Sequence, residues 1–274
     1  MNLSDAVRFT PDWLALREGA DAAARAADLL VPLRAHLARA PSGQLVVRDL
    51  GCGTGSLARW LAGRLPGPQR WILHDRDPEL LERALAGMPG VPAETRTGDI
   101  TRLTAADLAG TSLVAASALL DLLTFDEVDG LAGAITEAGC PALLTLSVIG
   151  RVKLLPYDPW DGAFTAAFNA HQRRSVDGRL LLGPDAVTAA AEAFERRGAA
   201  VRTSVSPWRL GRAQSALVAE WLRGWVAAAH EQRPDLPAED YLRRRLDACA
   251  AGELRAVVHH RDLLALPAPG GAAS

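Results

Sequence analysis

Three alternate glycines, Gly51, Gly53 and Gly55, follow the short apolar run Val46-Val47 and the acid Asp49. They run straight into Ser56-Leu57-Ala58-Arg59-Trp60-Leu61, which has the pattern of a helix. Glycine takes positive φ at little cost and carries no side chain, so a ligand can come close to the backbone. A strand, a tight turn and a helix in this order also leave free helix N–H groups facing that ligand. Two more acids end later apolar runs, Asp75 after Trp71-Ile72-Leu73-His74 and Asp99 in Gly98-Asp99-Ile100. Asp75 lies 24 residues beyond Gly51 (75 − 51), near the offset of roughly 20 at which an acid accepts from ribose hydroxyls. Asp99, with Ile100 beside it, can accept from the exocyclic amine of an adenine. Together these groups suit an adenosine-bearing molecule. Asp75 and Asp99 suit helix N-caps as well, and Cys52 within the turn suits packing as well as ligand contact.

The glycine spacing narrows the ligand. A dinucleotide fingerprint needs its third glycine three places after the second, where this chain has Ser56, and no Walker lysine follows. The pattern Asp49-x-Gly51-x-Gly53-x-Gly55, with Asp75 and Gly98-Asp99 in order, resembles the class I S-adenosylmethionine-dependent methyltransferases. The resemblance covers residues 44–150 by motif and extends loosely to 265 by strand order. It implies a three-layer αβα, Rossmann-like doubly wound sheet of about seven strands with the last strand antiparallel. It also implies S-adenosyl-L-methionine as cofactor and S-adenosyl-L-homocysteine as product. By the same resemblance, Gly51, Cys52, Gly53 and Gly55 pack on the methionine and ribose portions. Asp75 then binds ribose, Asp99 and Ile100 meet the adenine, Asp49 relates to the amino group, and Ser117 flanks the methionine moiety along with Ala118 to Asp121.

A sulfonium is already a good leaving group, so the protein's work is to align an acceptor and exclude water. A general base matters only when the acceptor must lose a proton. His171 is the candidate, because Phe164, Phe168 and His171 stand at i, i+4 and i+7 on one helix face. That stripe reads either as a pocket wall or as core. Tyr157, Trp160, Phe168 and Trp208 are candidate substrate-binding aromatics near the ends of the sheet. His259 and His260 are adjacent on a strand, face opposite sides and make no metal site.

These residues need a scaffold. Helical patterning covers 12–39, with Pro32 as a break and Pro41-Ser42-Gly43 as a stop. Strands are expected at 44–49, 71–75, 93–98, 113–117 and 142–149, and helices run from Ser56 to Leu65, from Pro78 and over 126–138. Such alternation implies a parallel sheet covered on both faces, with ligands at the carboxyl ends of the strands. Further on, helices fall at 161–174, 185–197, 213–230 and 238–250, a sixth strand at 200–206 and a last at 254–265. Arg151–Pro156 extends the fifth strand or starts a hairpin. The expected organisation is a single domain over 1–274, with an N-terminal helical segment at 1–40, an inserted cap at 151–184 and a frayed tail at 267–274.

The 274 residues are 49% hydrophobic, enough for a sizeable core, and the formal net charge is −2. That balance leaves no electrostatic footprint for nucleic acid or an anionic membrane. The three cysteines form neither a disulfide framework nor a zinc pattern, and no apolar run is long enough to span a membrane. The expectation is a cytoplasmic enzyme that methylates a small molecule at oxygen, nitrogen or carbon, of open oligomeric state. Two readings stand beside it. One is a regulatory or scaffold protein that binds S-adenosylmethionine without transferring methyl groups. The other is a nicotinamide-dependent oxidoreductase, which Ser56 disfavours.

Overall fold

Apolar residues that alternate in strands and recur every three to four residues in helices give this chain two buried faces to cover. The computed structural model describes residues 9–39 and 43–268. The described chain opens with α1 (Pro11–Ala24) and α2 (Leu30–Leu37). It then alternates β1 (Leu45–Leu50), α3 (Ser56–Ala62), β2 (Gln69–Asp75), α4 (Pro78–Ala86) and β3 (Ala93–Thr97). Next come β4 (Leu113–Ser117), α5 (Phe125–Glu137), β5 (Ala142–Leu155) and α6 (Asp161–Gln172). A small hairpin of β6 (Ser175–Val176) and β7 (Arg179–Leu180) leads to α7 (Ala186–Arg196) and β8 (Ala200–Val205). The last elements are β9 (Trp208–Leu210), α8 (Ser215–Gln232), α9 (Ala238–Ala250) and β10 (Arg255–Leu266).

The main sheet is ordered β3-β2-β1-β4-β5-β10-β8, with β9 also paired to β10. β1 to β5 are mutually parallel, and β10 runs antiparallel to its neighbours β5, β8 and β9. This is the Rossmann-like architecture with an antiparallel last strand. On one face Val47, Leu73, Leu113, Ala115 and Leu264 pack against α2, α3 and α4. On the other, Leu50, Val114, Ala116, Leu144 and Leu263 pack against α5 and α7. Adjacent residues of β4 and β10 thus go to opposite layers, as the period of two requires. The strand order reverses between β1 and β4, and the loops after these two strands leave a crevice at that switch point.

Two local expectations change, and of the two readings of Arg151–Pro156 the strand extension holds. The N-terminal helical stretch is not kinked at Pro32, which sits in the first turn of α2, where a missing N–H costs nothing. The break falls at Arg25-Ala26, both extended. The sixth strand, expected at 200–206 with its end at Pro207-Trp208, stops at Val205, and Trp208 instead opens a further strand, β9, against the start of β10. The fifth strand runs on to Leu155 because β10 pairs with it throughout. The stop at Pro41-Ser42 and the tail from 269 lie outside the described residues.

Beyond β4, the ribbon of β5, β10 and β9 carries its own core. Phe164, Trp208, Leu217, Leu222, Trp225 and Tyr241 come together there from α6, β9, α8 and α9. Phe164 stacks on Tyr241 with centroids 4.1 Å apart. A buried carboxylate fixes where the ribbon bends. Asp262 accepts from the Leu146 N–H at 2.7 Å, the Ala26 N–H at 2.8 Å and the Ser206 hydroxyl. Leu146 is held at φ 57°, a left-handed conformation that costs a leucine about 1–2 kcal/mol. Elsewhere ordinary capping suffices. Thr124 and Glu127 form a reciprocal capping box at the start of α5. Thr124→Ala is expected to lower stability by about 1 kcal/mol in chemical denaturation, without changing ligand affinity.

Candidate functional site

The turn after β1 needs its glycines. Gly51, Gly53 and Gly55 have φ of 62°, 54° and 84°. A Cβ on Gly51 would lie 3.0 Å from Leu119 Cδ1, and one on Gly53 would lie 3.1 Å from Leu14 Cδ1. The turn is therefore packed between the loop after β4 and the helix α1. Asp75, at the end of β2, braces it: Oδ2 accepts from the Gly53 N–H at 2.8 Å and Oδ1 from the Asp77 N–H at 3.0 Å. Each oxygen keeps a lone pair, so the carboxylate can still accept from a ligand hydroxyl. Arg59 of α3 donates to Thr54 O at 2.6 Å and pairs with Glu18 of α1, also at 2.6 Å. That pair fastens α1 across the turn. Asp99 caps the short turn behind β3, accepting from the Thr101 N–H at 3.0 Å; it is exposed, with Ile100 half-buried beside it. Cys52 is buried, and its thiol is pushed up by that burial.

Two buried ionisable groups, Asp49 and Arg25, lie beneath, each within the other's field but not hydrogen-bonded to it. Asp49 is wholly buried and neither of its carboxylate oxygens has a partner. Burial pushes its pKa up to about 7, against the pull of Arg25. The Arg25 guanidinium is 4% exposed and sits over the Trp60 ring, 5.6 Å from its centroid. Its Nη2 donates to Ser56 Oγ at 3.1 Å and Ser117 Oγ at 3.3 Å, while Nε and Nη1 donate to nothing. Burial lowers the Arg25 pKa, with Asp21 and Asp49 opposing. The resemblance places Ser117 here, whereas nothing in the sequence pattern isolates Arg25. Its contacts with Ser56 and Ser117 span 31 and 92 residues, beyond the reach of any local pattern.

Beside this crevice opens a cavity of about 400 Å³ between α1, the loop after β4, α6 and α8. Trp13, Phe168, Trp221 and Trp225 line it, with Asp121 and His171. Ala118, leading into that loop, is held at φ 51°, the kind of backbone strain that gathers at functional sites. Asp121 is half-buried with its Oδ1 shielded from solvent, and this desolvation raises its pKa, with Arg17 opposing the shift. Among the described residues, unpartnered buried side-chain polar atoms gather in two places. One is the Asp49–Arg25 pair; the other is this cavity, through Asp121 Oδ1, Gln172 Oε1 and Trp225 Nε1. Ser147, Arg245 and His260 supply the remainder. Such atoms are rare in folded proteins and need an explanation; a ligand's polar groups are one.

The two best-placed aromatic expectations, Phe168 and His171, do line the cavity. His171 is committed elsewhere, however. Arg174 Nη1 donates to its Nδ1 at 3.1 Å, which puts the ring proton on Nε2, 3.1 Å from Glu231 Oε2. Burial, then Arg174, lowers its pKa. Neither nitrogen is left to take a substrate proton.

Tyr157, Trp160 and Trp208 do not line the cavity. Tyr157 is 75% exposed. Trp160 ends the loop capped by Asp158, which accepts its N–H at 3.0 Å. Trp208 is buried under α1, donating to Asp21 Oδ1 at 2.9 Å with the Arg17 guanidinium 5.0 Å over its ring. The aromatic residues that do line the cavity had a sequence signal of their own. Trp221 and Trp225 stand at i and i+4 of α8 and stack at 5.3 Å.

Residues 47–138, from β1 through α5, match a family described as "Methyltransferase domain". The sequence matches no curated protein. Among solved structures, it is similar to an S-adenosylmethionine-dependent methyltransferase from Geobacter sulfurreducens in complex with S-adenosyl-L-homocysteine. Identity is 16%, the match covers 94% of this chain and 99% of that one, and the TM-score is 0.48. A methyltransferase from Thiobacillus denitrificans, also in complex with S-adenosyl-L-homocysteine, shows 15% identity. Coverage there is 96% and 100%, with a TM-score of 0.47. A cyclopropane synthase from Mycobacterium tuberculosis shows 11% identity over 94% of each chain, again with a TM-score of 0.47.

Proposed function

We propose that this chain, whose residues 47–138 match a family described as "Methyltransferase domain", is a class I, S-adenosylmethionine-dependent methyltransferase that methylates a small molecule held in the cavity beside its cofactor crevice. The observation that carries the reading is the buried Asp49 carboxylate and the Arg25 guanidinium, whose Nε and Nη1 donate to nothing, under a turn of three left-handed glycines at the sheet's switch point. A zwitterionic amino-acid moiety is what such a pair can satisfy. Asp49 takes the ammonium and Arg25, with Ser56 and Ser117, the carboxylate. Gly51, Gly53 and Gly55 let the rest of the cofactor lie on the backbone, and Asp75 accepts from ribose hydroxyls while it braces the turn. Asp99 and Ile100 receive the adenine. When bound, the cofactor supplies an activated methyl group on sulfonium sulfur.

What remains for the chain is placement and dryness. α1, fastened by Glu18–Arg59 and by Trp208–Asp21, covers the crevice and brings Trp13 to the cavity wall. We read 151–184 as a cap on the domain, supported by Phe168 and His171 reaching the cavity from it, with α8 closing the opposite wall. For location we propose the cytoplasm. The support is that Cys52, Cys140 and Cys249 are all unpaired. No described helix is long and apolar enough to cross a membrane. The net charge of −2 supports a small-molecule rather than a nucleic-acid partner.

Calorimetry with S-adenosyl-L-homocysteine tests the reading, and folded protein that gives no binding heat would overturn it. Asp75→Ala is expected to weaken that binding by about 1–3 kcal/mol, the range for removing a buried hydrogen-bond partner. Unchanged affinity in this variant would remove Asp75 from the site.

A further inference from the structure

The acceptor cavity has one carboxylate whose chemistry is not spent elsewhere. Asp121 follows β4 by four residues, in the loop whose Leu119 packs on Gly51, so it joins the cofactor crevice to the cavity. Its Oδ1 has no hydrogen-bond partner, whereas both nitrogens of His171, the other titratable candidate, are occupied by Arg174 and Glu231. The walls around Asp121 are flat: Trp13 from α1, Phe168 from α6, and Trp221 and Trp225 from α8. Aromatic walls favour a planar guest through stacked or edge-on contacts worth about 0.5–1.5 kcal/mol each beyond burial. A volume of about 400 Å³ admits a guest of one or two fused rings.

We propose that the acceptor is a planar aromatic molecule bearing an ionisable O–H or N–H, and that Asp121 is the catalytic residue that takes its proton. The inference rests on the methyltransferase reading and names the acceptor class for the same site. In the step, the acceptor's heteroatom supplies the electron pair for the new bond to the methyl carbon. The carbon–sulfur pair stays on sulfur, and the heteroatom's proton passes to the Asp121 carboxylate. Charge balances, since one cationic sulfonium and one carboxylate become a neutral thioether and a neutral acid. A buried acid is a better proton acceptor than an exposed one, and the raised pKa of Asp121 fits that role.

The probe is 2-naphthol, a planar aromatic alcohol, compared with 2-methoxynaphthalene, which has the same rings and no proton to give. Both are titrated against tryptophan fluorescence with S-adenosyl-L-homocysteine present. The expected result is several-fold tighter binding of 2-naphthol, as a hydrogen bond to a carboxylate provides. Bound 2-naphthol is also expected to emit as naphtholate, because excitation makes it a strong acid and a base within hydrogen-bond reach collects its proton. Asp121→Asn should abolish both the preference and the naphtholate emission, while His171→Gln keeps the emission. Equal affinity for the two probes in the unaltered protein overturns the proposal, as does failure of both to bind. Naphtholate emission that survives Asp121→Asn and is lost in His171→Gln would transfer the role to the histidine. Binding of S-adenosyl-L-homocysteine, read beforehand by calorimetry, separates these outcomes from failure of the methyltransferase reading itself.

Discussion

Asp262→Ala is expected to lower the stability of the protein by about 3–6 kcal/mol, measured by chemical denaturation. The carboxylate is 1% exposed and holds three donors, the Ala26 and Leu146 N–H groups and the Ser206 hydroxyl. Each buried donor left without a partner costs about 1–3 kcal/mol, and an alanine can satisfy none of them. Water is a poor substitute, because the donors come from three separate segments that close over the site. Asp262→Asn keeps one carbonyl oxygen and turns its NH₂ toward a donor, so a smaller loss of about 1–3 kcal/mol is expected. The effect should reach the ligand too. Ala26 follows Arg25 directly, and Leu146 is the left-handed residue where β5 passes beyond its pairing with β4. Freeing both should loosen the guanidinium, so the alanine variant should bind S-adenosyl-L-homocysteine more weakly even where it remains folded. Full affinity in a destabilised variant would confine Asp262 to the scaffold.

Arg25→Met is expected to weaken S-adenosyl-L-homocysteine binding by about 2–5 kcal/mol, the range for truncating one partner of a buried charged contact. Methionine preserves much of the side-chain volume over Trp60 and removes the charge together with the hydrogen bonds to Ser56 and Ser117. The fold should tolerate it better than most losses of a buried charge. Asp49 already has its pKa pushed up to about 7, so the carboxylate left behind can take a proton instead of remaining an uncompensated anion.

The same group gives a pH dependence whose sign follows from linkage. Asp49 has its pKa raised to about 7 in the folded, ligand-free protein, and a ligand ammonium at Asp49 favours the ionised form. Binding below that pH must expel the proton. Affinity should therefore rise as pH rises toward about 7 and level off above it. Removing Arg25, which holds the pKa down, should move the plateau to higher pH. Calorimetry in buffers of different ionisation enthalpy reads the proton release directly. A binding constant and a proton count that do not change between pH 5 and 8 would take Asp49 out of contact with the ligand's charge.

Much of the proposed cofactor side could be read from the sequence because its determinants are local. The strand at Leu45–Leu50, the left-handed glycines and the helix from Ser56 are contiguous, and only a short residue without Cβ fits a φ of 54° to 84° beside Leu14 and Leu119. Asp75 and Asp99 were legible because strands of a parallel sheet all end on the same side. The acceptor side was read less well. His171 was picked by its helical spacing, which is right for the face, yet spacing says nothing of Arg174 and Glu231 at its two nitrogens. Tyr157 and Trp160 were picked for lying in a loop near the sheet's end, but that loop turns outward to cap α6. Trp208 was picked for ending a strand that in fact continues along β10 beneath α1.

The amino-acid sequence by itself determined the turn and the acids of the proposed cofactor site. Backbone demand in a turn and the periods of strand and helix are short-range properties, and they place the glycines and the acids at one edge of a parallel sheet. Only the tertiary structure decided the rest. Arg25 is brought to Ser56, Ser117 and the field of Asp49 only because the end of α1 lies against the loops after β1 and β4. Trp13, Asp121, Phe168, Trp221 and Trp225 become one cavity only when α1, the loop after β4, α6 and α8 pack together. Which faces meet depends on how separate elements bury their apolar stripes against one another, and no local pattern carries that information.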